Sequence, residues 1–172
     1  MSIRSCGFAL VLAVAPAVGF AQTAPVAAAF KNNEAEMAKN LVAAAKLMPA
    51  DKYGFKPTPA QMSFGEIVLH LAGGNDVLCG AIGGAKAPAH AKVTAADGKE
   101  KLVAALETSF KFCDGVAAKL DDSKLSEALE LFGTKMSRAA AIVGAAGDWA
   151  DHYSQSAIYL RLNGLLPPTA KK

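Results

Sequence analysis

The sequence predicts an all-α fold, a four-helix bundle with long connections. Three observations predict it. The 172-residue chain is rich in alanine and leucine and poor in aromatics (7%), a composition that favours helix over sheet. Four stretches of about 20 residues or more carry apolar side chains at helical spacing. Helix start and stop signals stand at the ends of these stretches.

Ahead of them, residues 1–21 read as a signal peptide. Arg4 supplies the positive start, Phe8 to Phe20 the apolar run, and Gly19-Phe20-Ala21 the small residues a signal peptidase reads. The run is short and interrupted by Pro16, which argues against a membrane anchor. The expected mature protein is residues 22–172, one domain, exported to a bacterial periplasm or secreted, with no membrane attachment after cleavage.

The first helix is expected from about Ala27 to Met48, with Phe30, Met37, Leu41, Ala45 and Met48 on its inner face; Pro49 ends it. Residues 50–62 hold Tyr53, Phe55, Pro57 and Pro59 and read as an extended strap packed on the bundle. The second helix begins at Ser63, which forms a capping-box pattern with Glu66. Phe64, Ile67, Val68, Leu71, Val77 and Leu78 give it an apolar face that also carries His70. Gly73-Gly74 in its interior points to a close neighbour or a bend.

Residues 85–97 form a polar, alanine-rich loop, a lid or simply a long connection. The third helix is expected from about Gly98 to Leu120, with Leu102, Leu106, Phe110 and Val116 inward. Lys124 to Lys135 reads as a connection with one helical turn near Leu125 to Leu131. The fourth helix is expected from about Ser137 to Asn163; Gly164 suits a left-handed C-cap, and Pro167-Pro168 cannot continue the helix.

Charge excludes one class of partner. Without Arg4 the 18 basic residues become 17, against 15 acidic ones, a net of +2 spread along the chain. No nucleic-acid partner is expected from so even a balance. Cys79 and Cys113 remain after processing. An oxidising compartment permits their pairing, but nothing in the sequence brings them together, and both are read as buried thiols.

The chemistry concentrates in the last helix. Asp148 and His152, four residues apart, share one face. If the second helix packs alongside, His70 converges on them. Imidazole nitrogen and carboxylate oxygen suit Zn, Ni, Fe or Mn. Three protein ligands leave a coordination position open, as catalytic sites do. The competing reading is two histidines hydrogen-bonded across a helix interface, with Asp148 a solvated charge. His90, in a loop beside Pro88, is read as exposed and uninvolved. Trp149 is expected between helices or at a dimer contact, Tyr159 in the core with its hydroxyl satisfied, and Arg161 on carbonyls near the helix end or in an ion pair.

The run His152, Gln155, Tyr159-Leu-Arg161, Asn163-Gly164 and Pro167-Pro168 resembles the DinB-like family. So does Met48-Pro-Ala-Asp-Lys-Tyr53-Gly-Phe55-Lys-Pro57-Thr-Pro59, followed by Ser63-Phe64-Gly65-Glu66-Ile67 and His70. The likeness covers nearly the whole mature chain, as an exported branch. It implies a four-helix bundle, a homodimer, and a divalent metal held by three histidines, one on the second helix and two spaced i, i+4 on the last. Carried over, these positions fall on His70, Asp148 and His152, so an aspartate replaces one histidine. Some relatives are thiol S-transferases using a low-molecular-weight cytosolic thiol, which an exported chain would not meet. Metal-dependent hydrolysis of an unknown small molecule, with Glu66 or Asp151 as base, is the alternative chemistry that three such ligands allow. The rival from a different class is a metal-free binding or dimerisation module that has lost the site. A third reading is a ligand carrier with an apolar pocket.

Overall fold

The computed structural model describes residues 24–89 and 92–170. The expected signal peptide and His90 lie outside the described residues. Four helices make the bundle: α1 Pro25–Leu47, α2 Phe64–Gly83, α3 Lys99–Ala117 and α4 Arg138–Leu162. Among the described residues, no helix is long and apolar enough to cross a membrane.

Pairs of contacts fix the helix directions. His70 meets His152, Asn75 meets Trp149, and Ile82 meets Arg138, so α2 and α4 run antiparallel. Asn75 meets Ser109 and Cys79 meets Cys113, so α2 and α3 run parallel. Lys46 pairs with Glu107 at one end of α1, while Glu34 feels Asp114 farther back, so α1 opposes α3. Two adjacent parallel helices require a crossover of a helix length, about 30 Å for α2. The connection through residues 84–98 serves as that crossover, which accounts for its length.

The capping box at Ser63 forms as the sequence predicts. Glu66 N–H donates to Ser63 Oγ at 3.2 Å, and Ser63 N–H donates to the Glu66 carboxylate at 2.5 Å. Gly164 takes the left-handed conformation (φ 74°), and Leu165 N–H returns to Leu160 O at 2.9 Å. α1 has no side-chain cap of its own. The carboxylate of Asp122, in a 3-10 turn at Asp122–Lys124, accepts from Val26 N–H and Ala27 N–H at 2.9 and 2.8 Å.

The strap packs on the bundle as expected, although it opens with a 3-10 turn at Ala50–Lys52 rather than running extended throughout. Tyr53 is buried and its hydroxyl donates to Ala45 O at 2.6 Å. Phe55 meets Tyr159 edge to face, with ring centres 6.0 Å apart. Gly65 N–H donates to Tyr53 O at 2.8 Å, and a Cβ on Gly65 would approach that oxygen to 3.3 Å, so the close approach favours glycine.

Two expectations are corrected. The connection after α3 contains a β-hairpin, β1 Ala128–Leu131 with β2 Thr134–Ser137, rather than a helical turn near Leu125 to Leu131. Its two-residue turn, Phe132-Gly133, has positive φ at both positions (51° and 75°), as a tight hairpin matching strand twist requires. Cys79 and Cys113 are not free thiols: they form a disulfide between α2 and α3, Cα to Cα 5.3 Å, in the fully buried core.

Trp149 is the hub of the core. It is fully buried, stacks on Phe30 of α1 at 5.4 Å, and tilts against Phe110 of α3 at 5.9 Å. Its Nε1–H donates to Asn75 Oδ1, and Asn75 Nδ2–H donates to Ser109 Oγ at 3.0 Å. One indole therefore touches all three other helices.

Candidate metal centre

The register of α2 against α4 brings three predicted residues to one point. His70, Asp148 and His152 each offer a ligand atom, and these atoms lie within 4.8 Å of one another. α4 presents Asp148 and His152 on one face because a four-residue step returns to the same side. α2 presents His70 opposite, with its ring edge-on to His152 and centres 4.8 Å apart. His152 is buried, Asp148 half-buried and His70 exposed, so the cluster has a closed back and an open front.

The His152–Asp148 separation fits a shared cation, while the widest spacing in the cluster, up to 4.8 Å, would have to shorten for all three donors to reach one ion. His152 Nε2 lies 3.4 Å from Asp148 Oδ1. A charge-assisted N–H···O bond would be about 2.7–2.9 Å. Two donors on a tetrahedral ion with bonds of about 2.1 Å stand about 3.4 Å apart. Asp148 is half-buried beside His152 rather than displaced to solvent. Two imidazoles and one carboxylate are a recurrent donor set for divalent metals at open sites. His152 Nδ1 is buried and makes no hydrogen bond of ordinary geometry. The Asp148 carboxylate raises the His152 pKa above its ordinary value, outweighing the burial that lowers it; Gln155 and Asp151 act in the same direction as Asp148.

The two candidate bases are engaged with other partners. Glu66 is held by the Ser63 cap and by Lys56 at 3.1 Å, which brings its pKa down to about 2. So acidic a carboxylate is a poor proton acceptor near neutral pH. Asp151 is exposed and accepts from Gln155 Nε2–H at 2.8 Å.

The neighbouring residues fill structural roles. The Tyr159 hydroxyl donates to Met62 O at 2.7 Å, and Arg161 reaches the Ala157 carbonyl at 3.4 Å. What the sequence did not reveal is a groove between α2 and α4, which opens beside His70 and Asp148 and ends at the hairpin. Its one sequence signal was Gly73-Gly74, unexplained by any helix preference.

Comparison with known proteins agrees with this fold. A model of the DinB superfamily matches residues 35–156. Among solved structures, a DinB-like protein from Bacillus cereus superposes with a TM-score of 0.68 at 12% identity, covering 83% of this chain and 95% of that one. A DinB-like protein from Bacillus subtilis superposes with a TM-score of 0.65 at 20% identity, covering 79% and 92%. No curated protein matches the chain. At these identities the superpositions establish the bundle fold, and the family match, spanning well over half of the sequence, establishes that this chain belongs to the DinB superfamily.

Proposed function

We propose that this protein is an exported metal-dependent enzyme whose divalent ion is held by His70, Asp148 and His152, and that it hydrolyses a small molecule. The observation that carries the reading is the convergence of three donor atoms within 4.8 Å on a cluster with one exposed member. A bound divalent ion supplies Lewis-acid polarisation and lowers the pKa of whatever group occupies its open position. His152 forms the rigid back of the site, fixed by burial and by its neighbour Asp148. His70, at the exposed front, borders the side from which substrate enters.

Export is supported by the first 21 residues and by the Cys79–Cys113 disulfide, a bond that persists in oxidising compartments. A periplasmic setting disfavours transfer of a cytosolic thiol and favours hydrolysis.

The test is metal content by elemental mass spectrometry on untagged protein, beside His70→Ala and His152→Ala. Near-stoichiometric metal in the parent, lost in both variants, is expected. His70 is exposed, so its variant reports the site without disturbing the core. A parent that stays metal-free after incubation with Zn, Ni and Mn would sink the enzyme reading. It would leave a metal-free binding module in its place.

A further inference from the structure

The groove between α2 and α4 has a volume of about 670 Å³, within the range of small-molecule sites. His70 and Asp148 border one part of it, and among the described residues they are the only ionisable side chains in its lining. The rest is apolar, with walls from Val77, Leu78, Leu131 and Met136. From His70 to Val77 the helix rises about 10 Å, so the apolar part extends well beyond the triad.

Gly73, Gly74 and Gly144 line the same groove. A Cβ at any of them would meet nothing within 4 Å. No neighbouring helix demands glycine there, and glycine weakens a helix relative to alanine. The space that side chains would fill belongs to the groove. At its far end stands Phe132, 75% exposed and held at φ 51°. A bulky residue rarely adopts that conformation, and hairpin turns of this kind favour asparagine. An aromatic ring is thus kept at the groove's lip against local preference.

We propose that this groove binds the apolar body of the substrate, an alkyl or aryl chain, whose oxygen or sulfur head group reaches His70 and Asp148. The proposal rests on the metal reading of the triad for its head group, and on the groove alone for its chain. The donors lie at one end and the apolar surface at the other, as an amphiphilic small molecule requires.

The experiment uses two homologous series read by calorimetry: n-alkanols, butanol to octanol, on metal-stripped protein, and the matching n-alkylhydroxamates on Zn-loaded protein. In both, affinity is expected to rise roughly four-fold per added methylene until the groove is filled. Gly144→Leu, whose side chain enters open space, is expected to flatten both series while Zn content stays unchanged. Phe132→Asn is expected to weaken the longest members several-fold without loss of folding.

A flat alkanol series in the parent would overturn the proposal whatever the metal does. So would an unchanged slope in Gly144→Leu. A dimer that Gly144→Leu converts to monomer in sedimentation would assign the groove to a second copy, which also overturns it. Hydroxamates that bind no better than alkanols, with the slope retained, would instead sink the metal reading and the head-group assignment while the chain assignment stands.

Discussion

The indole Nε1–H of Trp149 donates a 2.7 Å hydrogen bond to Oδ1 of Asn75, both fully buried. Trp149 follows Asp148 in sequence, and Asn75 lies five residues past His70. This bond therefore fixes the sliding register of α2 on α4, and the register sets His70 opposite His152. Asn75→Ala leaves the indole N–H unpaired and removes the donor to Ser109. We expect a loss of about 2–4 kcal/mol in urea unfolding, from an orphaned buried donor and a small cavity. Weaker Zn uptake should accompany it. An unchanged midpoint would show that apolar packing alone holds the register.

Glu34 on α1 is 1% exposed, and its Oε1 has no hydrogen-bond partner among the described residues. Burial, aided by Asp114, pushes its pKa from 4.5 up to about 7. In the folded state it holds its proton longer than in the unfolded state. Its contribution to stability is therefore complete below pH 4.5 and is lost as pH rises through 7, by about 3 kcal/mol in total. Glu66 and Asp97, both lowered to about 2, act oppositely and below that window. Glu34→Gln should remove the decline between pH 5 and 6.5 in denaturant midpoints of metal-free protein; above pH 6.5 His152, its pKa raised by Asp148, adds a decline of its own. The same slope in both proteins would refute the assignment.

The Cys79–Cys113 disulfide closes a sequence separation of 34 residues across the crossover. By chain entropy such a loop contributes about 3–4 kcal/mol. Reduction, or the Cys79→Ala/Cys113→Ala pair, should lower stability by about that amount, in thermal unfolding with and without reductant. The proposed metal site of His70, Asp148 and His152 is on the α2–α4 side, so Zn content should survive the change.

Asp148→His should strengthen binding of Zn and Ni relative to Mn. It replaces a hard oxygen with an imidazole at a position four residues from His152. Competition dialysis between the metals measures the ratio. An unchanged ratio would place Asp148 outside the coordination sphere.

Much of this architecture was legible because it is local. The Ser63–Glu66 cap, the Gly164 stop and the apolar faces are written in spacings of three and four residues. The i, i+4 pair Asp148 and His152 was legible for the same reason, and His70 joined it only on the assumption that α2 packs against α4. The hairpin escaped because four-residue strands with mixed apolar spacing do not separate from a helical turn, and Phe132-Gly133 lacks the usual asparagine. The disulfide escaped because it depends on α2 and α3 running parallel, which the crossover decides and no local pattern records. The groove escaped because emptiness between helices has no sequence period; only Gly73-Gly74 hinted at it.

The cap on α1 joins positions 95 and 96 residues apart. The first turn of the bundle is therefore completed by a residue synthesised only after α1, α2 and α3. Amide exchange at Val26 and Ala27 should follow the detachment of the Asp122 turn rather than fraying of the helix they begin. The opening turn of α1 is thus a gauge of closure at the chain's opposite half, and a ribosome that has not yet delivered Asp122 holds a first helix with a ragged start.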